Sequence, residues 1–515
     1  MILITSAAYV TPALASEFGK LPPCMLPVQN KRLYEHQVAL VPDGVDVVLS
    51  LPKSYTLTTY DEKRLKTLGV TIVKAPDELT LGQSIVYVLN VLGRYGEPLG
   101  ILHGDSLFSS LPSYNDVCAV AQAEDNYDWA SAGQHDKMVF AGYFAFSDQS
   151  LLIQKITENG YKFIQGVEEY AKEKSMSNVV LDNWMDFGLS NSYYRSISKM
   201  TTQRVFNSMK VTRYCVRKSS KDKHKMAAEV NWMLSLPTPM KHYAPAVWEK
   251  GEEDGRGYYE IEYYYLSSLA NLFVFGKNKP YVWEEIIDAC VAYLNEEALY
   301  KPEDAVSIAK QNDQLYTVKT IRRLEDYAKQ AGISLDEPFK YNDVEVPSLR
   351  QIVKDIDPLL SKQDTRFATL MHGDPCFSNI LYDFKSKSIK IIDPRGLDIE
   401  GNLSIYGDFR YDVGKLAHSI LGMYDFIIGG MFEYSERTPY DVELQFEVSD
   451  DLLRIQDYFC KQTFGGYNIT ELSTYPVLIH LFLSMLPLHS DYPARQKAML
   501  ANALRLYVEL KKSSI

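Results

Sequence analysis

The first 200 residues alternate short apolar runs with helical patterns, and this alternation is the strongest constraint on the fold. The predicted strands are MILITSA, VDVVLSL, VTIVKA and PLGILHGD, and the predicted helices, each ending near a glycine, are TYDEKRLKTLG and LGQSIVYVLNVLGRYG. Repeated strand and helix are typical of a mostly parallel sheet covered on both faces. We therefore predict a doubly wound α/β domain over residues 1–200.

Two aspartates are predicted to lie at the rim of this sheet. Ligands of such sheets bind where the strands end, and Asp105 in ILHGDS directly follows a predicted strand. Asp186 follows later in NWMDFG. Two rim carboxylates can hold one Mg²⁺ between phosphates, and a turn residue at a strand end is the alternative interpretation of Asp105 alone.

The pattern changes near residue 200. The basic β-like stretch RVFNSMKVTRYCVRKSS precedes a helix, KHKMAAEVNWMLSL, and then the aromatic strand GYYEIEYYYL. Helical patterns dominate from about residue 281 onward. A small β-rich lobe of about 201–275 and a helical lobe of about 276–515 form the order expected of a two-lobed, protein-kinase-like α+β domain.

A short polar stretch interrupts the helical region. In MHGDPCFSNILYDFKSKSIKIIDPRG, two apolar runs around a Lys/Ser turn predict a β-hairpin that returns Asp393 to the side of Asn379. A carboxylate and an amide oxygen placed together can share Mg²⁺. Asp374, on the preceding loop, can accept the proton of an attacking hydroxyl, so the set suits phosphoryl transfer.

The segments HGDPCFSN and IIDPRG resemble the signature of the aminoglycoside phosphotransferase and choline kinase superfamily, over roughly residues 200–515. The resemblance implies ATP and Mg²⁺ as cofactors, Asp374 as catalytic base, and Asn379 and Asp393 as Mg²⁺ ligands. It also implies that His372 braces the catalytic loop.

The resemblance extends to the small lobe. Lys218 on a strand and Glu229 on the next helix match the pair that holds the ATP phosphates in kinase-like folds, and Glu262 matches the adenine-binding hinge by position. TTQRVFNSMK contains no glycine, so phosphate contacts are expected from serine or backbone groups. In GDFRYDVGK, Asp408, Asp412 and Lys415 lie on or near one helix start. Capping is the leading interpretation of the aspartates, and for the group as a whole loop bracing is favoured over contact with the acceptor.

Residues 1–200 resemble sugar-1-phosphate nucleotidyltransferases, which have a GT-A-like fold, through CMLPVQNKRLYEHQV, the Gly-Asp strand end and WMDFG. The resemblance implies that Asp105 and Asp186 bind the metal and that Gly82 and Gln83 lie near the nucleotide. One departure concerns the Gly-rich loop with an arginine that opens the sequences of that family: the corresponding segment here, SAAYVTPALASEFGKLPPCMLPV, has no GxGxR pattern. Pro23 stands where a lysine is expected, and Lys20 is the nearest substitute.

Composition and charge limit the partners and the cellular compartment that can be expected for this chain. The net charge of −12 and the pI of about 5.4 argue against a nucleic-acid partner. No apolar run is long enough to predict a transmembrane segment, the N-terminus has no basic signal region, and six scattered cysteines without a CxxC pair indicate reduced thiols. A cytoplasmic location is expected.

The two resemblances imply a bifunctional enzyme of surface-polysaccharide (capsule) precursor synthesis. The C-terminal domain would phosphorylate a small hydroxyl compound, a sugar or an amino alcohol, and the N-terminal domain would transfer a nucleotidyl group from CTP, UTP, GTP or dTTP. The alternatives are a kinase whose N-terminal domain binds a nucleotide or sugar phosphate without turnover, and a non-catalytic scaffold. The acceptor, the nucleotide preference and the oligomeric state stay open.

Overall fold

The computed structural model describes residues 1–113, 115–123, 130–131, 138–181, 183–200 and 207–513. The chain divides into two compact units. The first comprises Met1–Met200 together with Phe275–Asn278, and the second comprises Thr201–Val274 and Lys279–Ile515. No sequence pattern indicated that the four residues from Phe275 to Asn278 belong with the first unit.

The first unit contains a seven-stranded sheet and two small two-stranded ribbons. Its strands are β1 (Ile2–Thr5), β2 (Pro27–Val28), β3 (Lys31–Arg32), β4 (Val47–Pro52), β5 (Thr71–Ala75), β6 (Leu99–His103), β7 (Ser106–Leu107), β8 (Val117–Gln122), β9 (Met138–Phe146), β10 (Ser177–Val180) and β11 (Met185–Asp186). The large sheet has the order β10-β8-β9-β6-β1-β4-β5. All of its pairs are parallel except those that β9 makes with β6 and β8. The prediction of a mostly parallel sheet is therefore confirmed.

Seven helices accompany these strands among the described residues. They are α1 (Pro12–Phe18), α2 (Leu33–Val38), α3 (Thr59–Thr67), α4 (Leu81–Leu92), α5 (Gln149–Glu158), α6 (Phe163–Lys174) and α7 (Ser190–Lys199). The sequence determines where α4 begins and ends. Thr80 and Gln83 form a capping box at its start, and Gly93 adopts a left-handed conformation at its end. Apolar side chains of α4 to α6 pack on Leu3, Ile101 and Phe144 in the core.

The second unit begins with a four-stranded antiparallel sheet in the order β12-β13-β15-β14. Its strands are β12 (Asn207–Val211), β13 (Cys215–Ser220), β14 (Val247–Glu253) and β15 (Arg256–Glu262), and α8 (Lys223–Ser235) lies between β13 and β14 in the chain. β14 and β15 form a hairpin, and Asp254 and Gly255 in its turn both have positive φ.

The rest of the second unit is mainly helical. The first helix, α9 (Leu269–Phe275), ends at the boundary between the two units. The other helices are α10 (Pro280–Glu297), α11 (Ala305–Lys310), α12 (Lys319–Ala331), α13 (Leu349–Ile356), α14 (Phe409–Ile420), α15 (Tyr424–Gly429), α16 (Asp450–Cys460), α17 (Thr474–Met485) and α18 (Pro493–Ser513). A π-helical turn, Gln314–Val318, leads directly into α12. Within the described ranges, no helix combines the length and the apolar character that crossing a bilayer requires.

Short strands interrupt this helical region. They are β16 (Ser267–Ser268), β17 (Phe339–Tyr341), β18 (Val344–Val346), β19 (Ala368–Leu370), β20 (Ile380–Asp383), β21 (Ser388–Ile391), β22 (Tyr406–Asp408), β23 (Glu433–Thr438) and β24 (Asp441–Gln445). β20 and β21 pair antiparallel, which confirms the predicted hairpin. β18-β17-β24-β23 form a four-stranded sheet that the sequence did not indicate.

Candidate functional site

The hairpin β20–β21 places the two predicted magnesium ligands of the second unit side by side. Ile380 pairs with Ile391, and the backbone N–H of Ile392 donates to the carbonyl of Asn379 at 3.0 Å. The side-chain amide of Asn379 donates to the backbone carbonyl of Asp374 at 3.0 Å. The backbone of Asn379 thus holds the residue before Asp393, and its side chain holds the loop that carries Asp374.

Lys218 connects the small sheet to this hairpin. Its ammonium lies 2.8 Å from the carboxylate of Glu229 and 3.0 Å from that of Asp393. Burial opposes the charge on Lys218, but Asp393 and Glu229 outweigh it and raise the pKa of the ammonium above its ordinary value. The side chain of Asp393 is 38% exposed, so one predicted metal ligand stays accessible to a ligand from solvent.

Two glycines hold the segments around these carboxylates at close range. Gly373 has a φ of +85°, and a Cβ there would lie 2.7 Å from the Cβ of Arg395. Gly396 has a φ of +64°, and a Cβ there would lie 2.1 Å from the backbone oxygen of Ala228. Any other side chain would be strained at both positions. Gly396 therefore lets the segment after Asp393 contact α8, which carries Glu229.

Asp374 forms an ion pair with Lys415 of α14, at 2.9 Å. Burial raises the pKa of a carboxyl group, but here the charge and hydrogen bond of Lys415 outweigh it and lower the pKa of Asp374 to about 2. Asp374 is therefore ionised at neutral pH. Its side chain is 41% exposed, so a hydroxyl group from solvent can reach it.

His372 is fully buried beneath Asp374. Burial lowers the pKa of its imidazole to about 4, so the ring is neutral at pH 7 and Nδ1 accepts the backbone N–H of Asp374 at 3.2 Å. The Trp232 ring packs edge-on against it, with centroids 5.1 Å apart. These contacts agree with the bracing role that the resemblance implies for His372, which stays a prediction.

A buried pair of carboxyl groups fixes the backbone of the same loop. Asp412 accepts the backbone N–H groups of His372 at 2.6 Å and Gly373 at 2.9 Å, and Glu297 accepts the N–H of His372 at 3.0 Å. Burial and the neighbouring Asp412 hold the pKa of Glu297 well above its usual range, which favours its protonated form. The favoured interpretation of Asp412 as a bracing residue stays a prediction, and its contacts agree with it.

Sequence reasoning missed several residues at this site. Lys415 was assigned with Asp408 and Asp412 to a capping or loop-bracing group, but its ion pair with Asp374 was not predicted. Lys415 lies three residues beyond Asp412 on α14, so the two share a face. Glu297 and Trp232 come from α10 and α8, and no local motif marks either of them.

The hinge assignment stays a prediction. Glu262 is the last residue of β15, is half-buried, and its backbone N–H donates to the carbonyl of Ala246 at 3.0 Å. The glycine-free stretch that precedes the small sheet is described only from residue 207 onward; residues 201–206 of it lie outside the described residues.

In the first unit, the structure brings Asp105 and Asp186 together. β7 pairs with β11, so Ser106 lies opposite Asp186, and Gly188 packs so tightly that a Cβ there would lie 2.6 Å from Oδ2 of Asp105 and 3.4 Å from Oδ1 of Asp186. Burial, and after it the charge of Asp105, raises the pKa of Asp186 to about 7. A bound cation would relieve this repulsion, so the donor set fits a hard metal such as Mg²⁺.

Both predicted metal sites have few protein ligands. Within the described parts of the chain, no group of three or more His, Cys, Asp or Glu is arranged to hold a metal. Mg²⁺ in phosphoryl-transfer sites commonly takes one or two carboxylates, with substrate phosphates and water filling the other positions. Two oxygen ligands per site are compatible with that mode.

Gly82 and Gln83, predicted to contact nucleotide, have structural contacts in the first unit. A Cβ on Gly82 would lie 2.2 Å from the backbone oxygen of Tyr161, so helix packing requires glycine there. The side chain of Gln83 accepts the backbone N–H of Thr80 at 2.9 Å in the capping box of α4. These contacts account for both residues without a nucleotide, and the nucleotide role stays a prediction.

The region expected to be a phosphate-binding loop is partly helical. α1 occupies Pro12–Phe18, and Pro23 opens a short 3₁₀ turn. The ammonium of Lys20 lies 4.2 Å from the centroid of the Tyr9 ring. The nearest substitute for the family's lysine is thus engaged with an aromatic ring.

Replacement of Asp186 by Asn is expected to stabilise the protein at pH 8 in EDTA. An acid whose folded-state pKa is raised loses its stabilising contribution as the pH rises from about 4, the unfolded value, through its folded pKa. With a folded pKa of about 7, Asp186 is ionised at pH 8 and protonated at pH 5. We expect Asp186→Asn to raise the free energy of unfolding by about 1–2 kcal/mol at pH 8 and by less than half as much at pH 5, where only the unfolded-state carboxyl group is ionised.

Urea unfolding at both pH values measures this difference. Asp43→Asn, at an exposed position of the same unit, is the matched control and should have no effect at either pH. Destabilisation by Asp186→Asn at pH 8 would show that the carboxylate is stabilised by its surroundings, contrary to this account.

No protein-family model matches the chain, and no curated protein sequence matches it. Solved structures do resemble parts of it. A candidate aminoglycoside phosphotransferase from Ralstonia eutropha covers 63% of this chain and 98% of its own, with 11% identity and a TM-score of 0.36. A thermostable variant of aminoglycoside phosphotransferase APH(4)-Ia, in complex with AMP-PNP and hygromycin B, covers 60% of this chain and 92% of its own, with 14% identity and a TM-score of 0.34.

Another similar structure matches a shorter part of the chain. The 4-diphosphocytidyl-2C-methyl-D-erythritol synthase of Anaerococcus prevotii covers 39% of this chain and 96% of its own, with 14% identity and a TM-score of 0.27.

Proposed function

We propose that the chain is an ATP- and Mg²⁺-dependent phosphotransferase whose second unit phosphorylates a small hydroxyl compound. The observation that carries this proposal is the buried contact of Lys218 with both Glu229 and Asp393. A strand lysine, a helix glutamate and Asp393, the aspartate that we propose binds metal, meet at one point. Phosphoryl transfer requires that combination, with an orienting aspartate nearby, and Asp374 lies on the loop that Asn379 holds.

In the proposed transfer, each of these residues of the second unit has a separate role. Lys218 would bind phosphate oxygens of ATP, and Glu229 keeps its ammonium in place. Asn379 and Asp393 would hold Mg²⁺, which supplies neutralisation of the phosphate charge when bound. Asp374 would accept a hydrogen bond from the acceptor hydroxyl and align its oxygen with the γ-phosphorus; with a pKa of about 2 it takes the proton late, once the new bond to phosphorus has formed.

For the first unit we propose nucleotidyl transfer to the resulting phosphate, which would make the protein bifunctional and suit the synthesis of surface-polysaccharide precursors. The carboxylates of Asp105 and Asp186 support a metal site there. α1 and the Lys20–Tyr9 contact instead favour the alternative, in which this unit binds a nucleotide or sugar phosphate without turnover.

Release of pyrophosphate from CTP, UTP, GTP or dTTP in the presence of sugar phosphates separates the two roles of the first unit. Release that Asp105→Asn abolishes supports the bifunctional enzyme. A silent panel, with nucleotide binding that still requires Asp105, supports the alternative.

Replacement of Lys218 by Met is expected to raise the KM for ATP about tenfold, the loss of roughly one charge-assisted phosphate contact. Release of ADP with increasing MgATP measures this change. Lys210→Met, at an exposed position on the neighbouring strand β12, is the control and should behave as wild type. An unchanged KM in Lys218→Met would remove Lys218 from the ATP site.

A further inference from the structure

A group of cations surrounds one tyrosine close to Asp374. The guanidinium of Arg395 lies 4.5 Å from the centroid of the Tyr411 ring, and the ammonium of Lys319 lies 5.0 Å from the same centroid. Arg395 also donates to the backbone carbonyl of Gly373 at 2.9 Å, so it contacts the residue that precedes Asp374. We call Lys319, Arg395 and the neighbouring Arg323 the cation cluster.

No described carboxylate forms a direct ion pair with this cluster; burial lowers the pKa of Arg395, whereas Tyr411 and the more distant carboxylates Asp374 and Asp412 raise that pKa. Of the described acidic side chains, none lies within 4.0 Å of a charged nitrogen of Lys319, Arg323 or Arg395. Arg323 donates to the backbone carbonyl of Ser484 at 2.9 Å, a neutral acceptor. Asp374, the carboxylate of the adjoining loop, is 2.9 Å from Lys415. Unpaired cations that are partly withdrawn from water cost free energy unless an anion offsets them.

The neighbouring cations lower the pKa of both Lys319 and Tyr411. Burial lowers the pKa of Lys319 to about 8, and the cations Arg395, Arg323 and Lys415 act in the same direction. Burial raises the pKa of the Tyr411 hydroxyl, but Arg395, Lys319 and Lys415 outweigh it and lower that pKa to about 7. An environment that favours a phenolate also favours other anions.

The cation cluster and the adjoining candidate base Asp374 are both accessible to a ligand from solvent. Lys319 and Arg395 are partly exposed, and the side chain of Asp374 is 41% exposed. Lys319 also begins α12 directly after the π-helical turn Gln314–Val318, a local irregularity of a kind that is frequent at functional sites.

We propose that the acceptor of the second unit carries an anionic group, a carboxylate or a phosphate, which binds to Lys319 and Arg395 while its hydroxyl group faces Asp374. The proposal rests on the proposed phosphotransferase function and narrows its substrate class. A cationic amino alcohol or aminosugar would be repelled by the cluster, whereas a hydroxy acid or a sugar that already bears an acidic group would complete its charge balance.

Thermal stability with matched compounds tests the proposal. The whole protein is first saturated with MgADP, so that added anions cannot occupy the nucleotide site. Two series are then compared at equal ionic strength: glycerol, glycerate and glycerol 3-phosphate, and glucose, glucosamine and glucuronate. At about ten times Kd, a bound acidic member should raise the Tm by about 2 °C, and the neutral and cationic members should leave it unchanged.

Two variants on α12 assign the effect. In Lys319→Gln the rise in Tm given by the acidic compounds should be lost, and in Lys319→Arg it should return. Lys329→Gln removes an exposed charge from the same helix and should keep the full rise.

The outcomes separate this proposal from the proposed function. Stabilisation by MgADP without stabilisation by any acidic compound would overturn the anionic acceptor and leave the phosphotransferase standing. So would a rise that persists in Lys319→Gln, or an equal rise with glucose or glucosamine. Absence of stabilisation by MgADP itself would instead count against the phosphotransferase function.

Discussion

Replacement of Asp374 by Asn is expected to lower kcat for ADP formation by about 10²- to 10⁴-fold, the usual contribution of a positioned proton acceptor. An amide of the same size cannot take the proton of the acceptor hydroxyl. It also loses the ion pair with Lys415, so the ammonium of Lys415 is left without its partner at 2.9 Å. Steady-state release of ADP with saturating MgATP measures the change.

Two controls make the result specific to Asp374. Stabilisation by MgADP should persist in Asp374→Asn, because Lys218 and Asp393 are unchanged. Asp326→Asn removes an exposed carboxylate from α12 and should keep wild-type kcat. Equal kcat values for wild type and Asp374→Asn would show that Asp374 is not the proton acceptor.

The pH profile gives a further expectation for the wild type. The pKa of Asp374 is about 2, so its carboxylate stays ionised over the range in which the enzyme would be assayed. Protonation of Asp374 should therefore not lower kcat between pH 8 and pH 5. An acidic limb in that range would have to come from another group.

The hairpin β20–β21 and the pair Lys218–Glu229 could be predicted from the sequence because each is formed by residues that lie close together in the chain. Alternating apolar residues and a Lys/Ser turn specify the hairpin that returns Asp393 to Asn379. The strand and helix that carry Lys218 and Glu229 follow one another in the chain, so their pairing could be predicted as well.

The supporting residues could not be predicted in the same way. Glu297, Lys319 and Lys415 come from three different helices, and only the tertiary packing brings them to the loop that carries Asp374. On an isolated helix, each of these charges would be taken for a solvated surface residue. The four-stranded sheet β18-β17-β24-β23 was missed because its strands are short and lie within helical patterns.

At Gly82 and Gln83, the nucleotide role that the family resemblance implies differs most from the contacts that the structure shows, and that role stays a prediction. Their position at the start of a helix matches the family pattern, but the same two residue types also serve helix packing and capping. A motif at a helix start therefore has a structural explanation and a functional one at the same positions. Only the contacts in the fold separate them.

Replacement of Asp412 by Ala is expected to lower the free energy of unfolding by about 2–4 kcal/mol, because two buried backbone N–H groups lose their hydrogen bonds to its carboxylate and only one of them keeps an acceptor, Glu297. These are the N–H groups of His372 and Gly373, at 2.6 and 2.9 Å from the carboxylate. The same loop positions Asp374, so kcat should fall as well. Chemical unfolding and ADP release at pH 6 measure both effects, because above the pKa of about 7 that burial gives Asp412 its ionisation costs stability that the substitution would recover.

Glu297→Gln is the matched comparison, since it changes the partner carboxyl group of the same buried pair. Burial and Asp412 favour the protonated form of Glu297, so a glutamine can still accept the N–H of His372 and the hydroxyl of Tyr293 through its oxygen and can donate toward Asp412. We expect Glu297→Gln to cost less than about 1 kcal/mol and to keep kcat near the wild-type value. If both variants lost stability equally, the pair would be doubly ionised, and the bracing of the loop would depend on a bound cation instead of a shared proton.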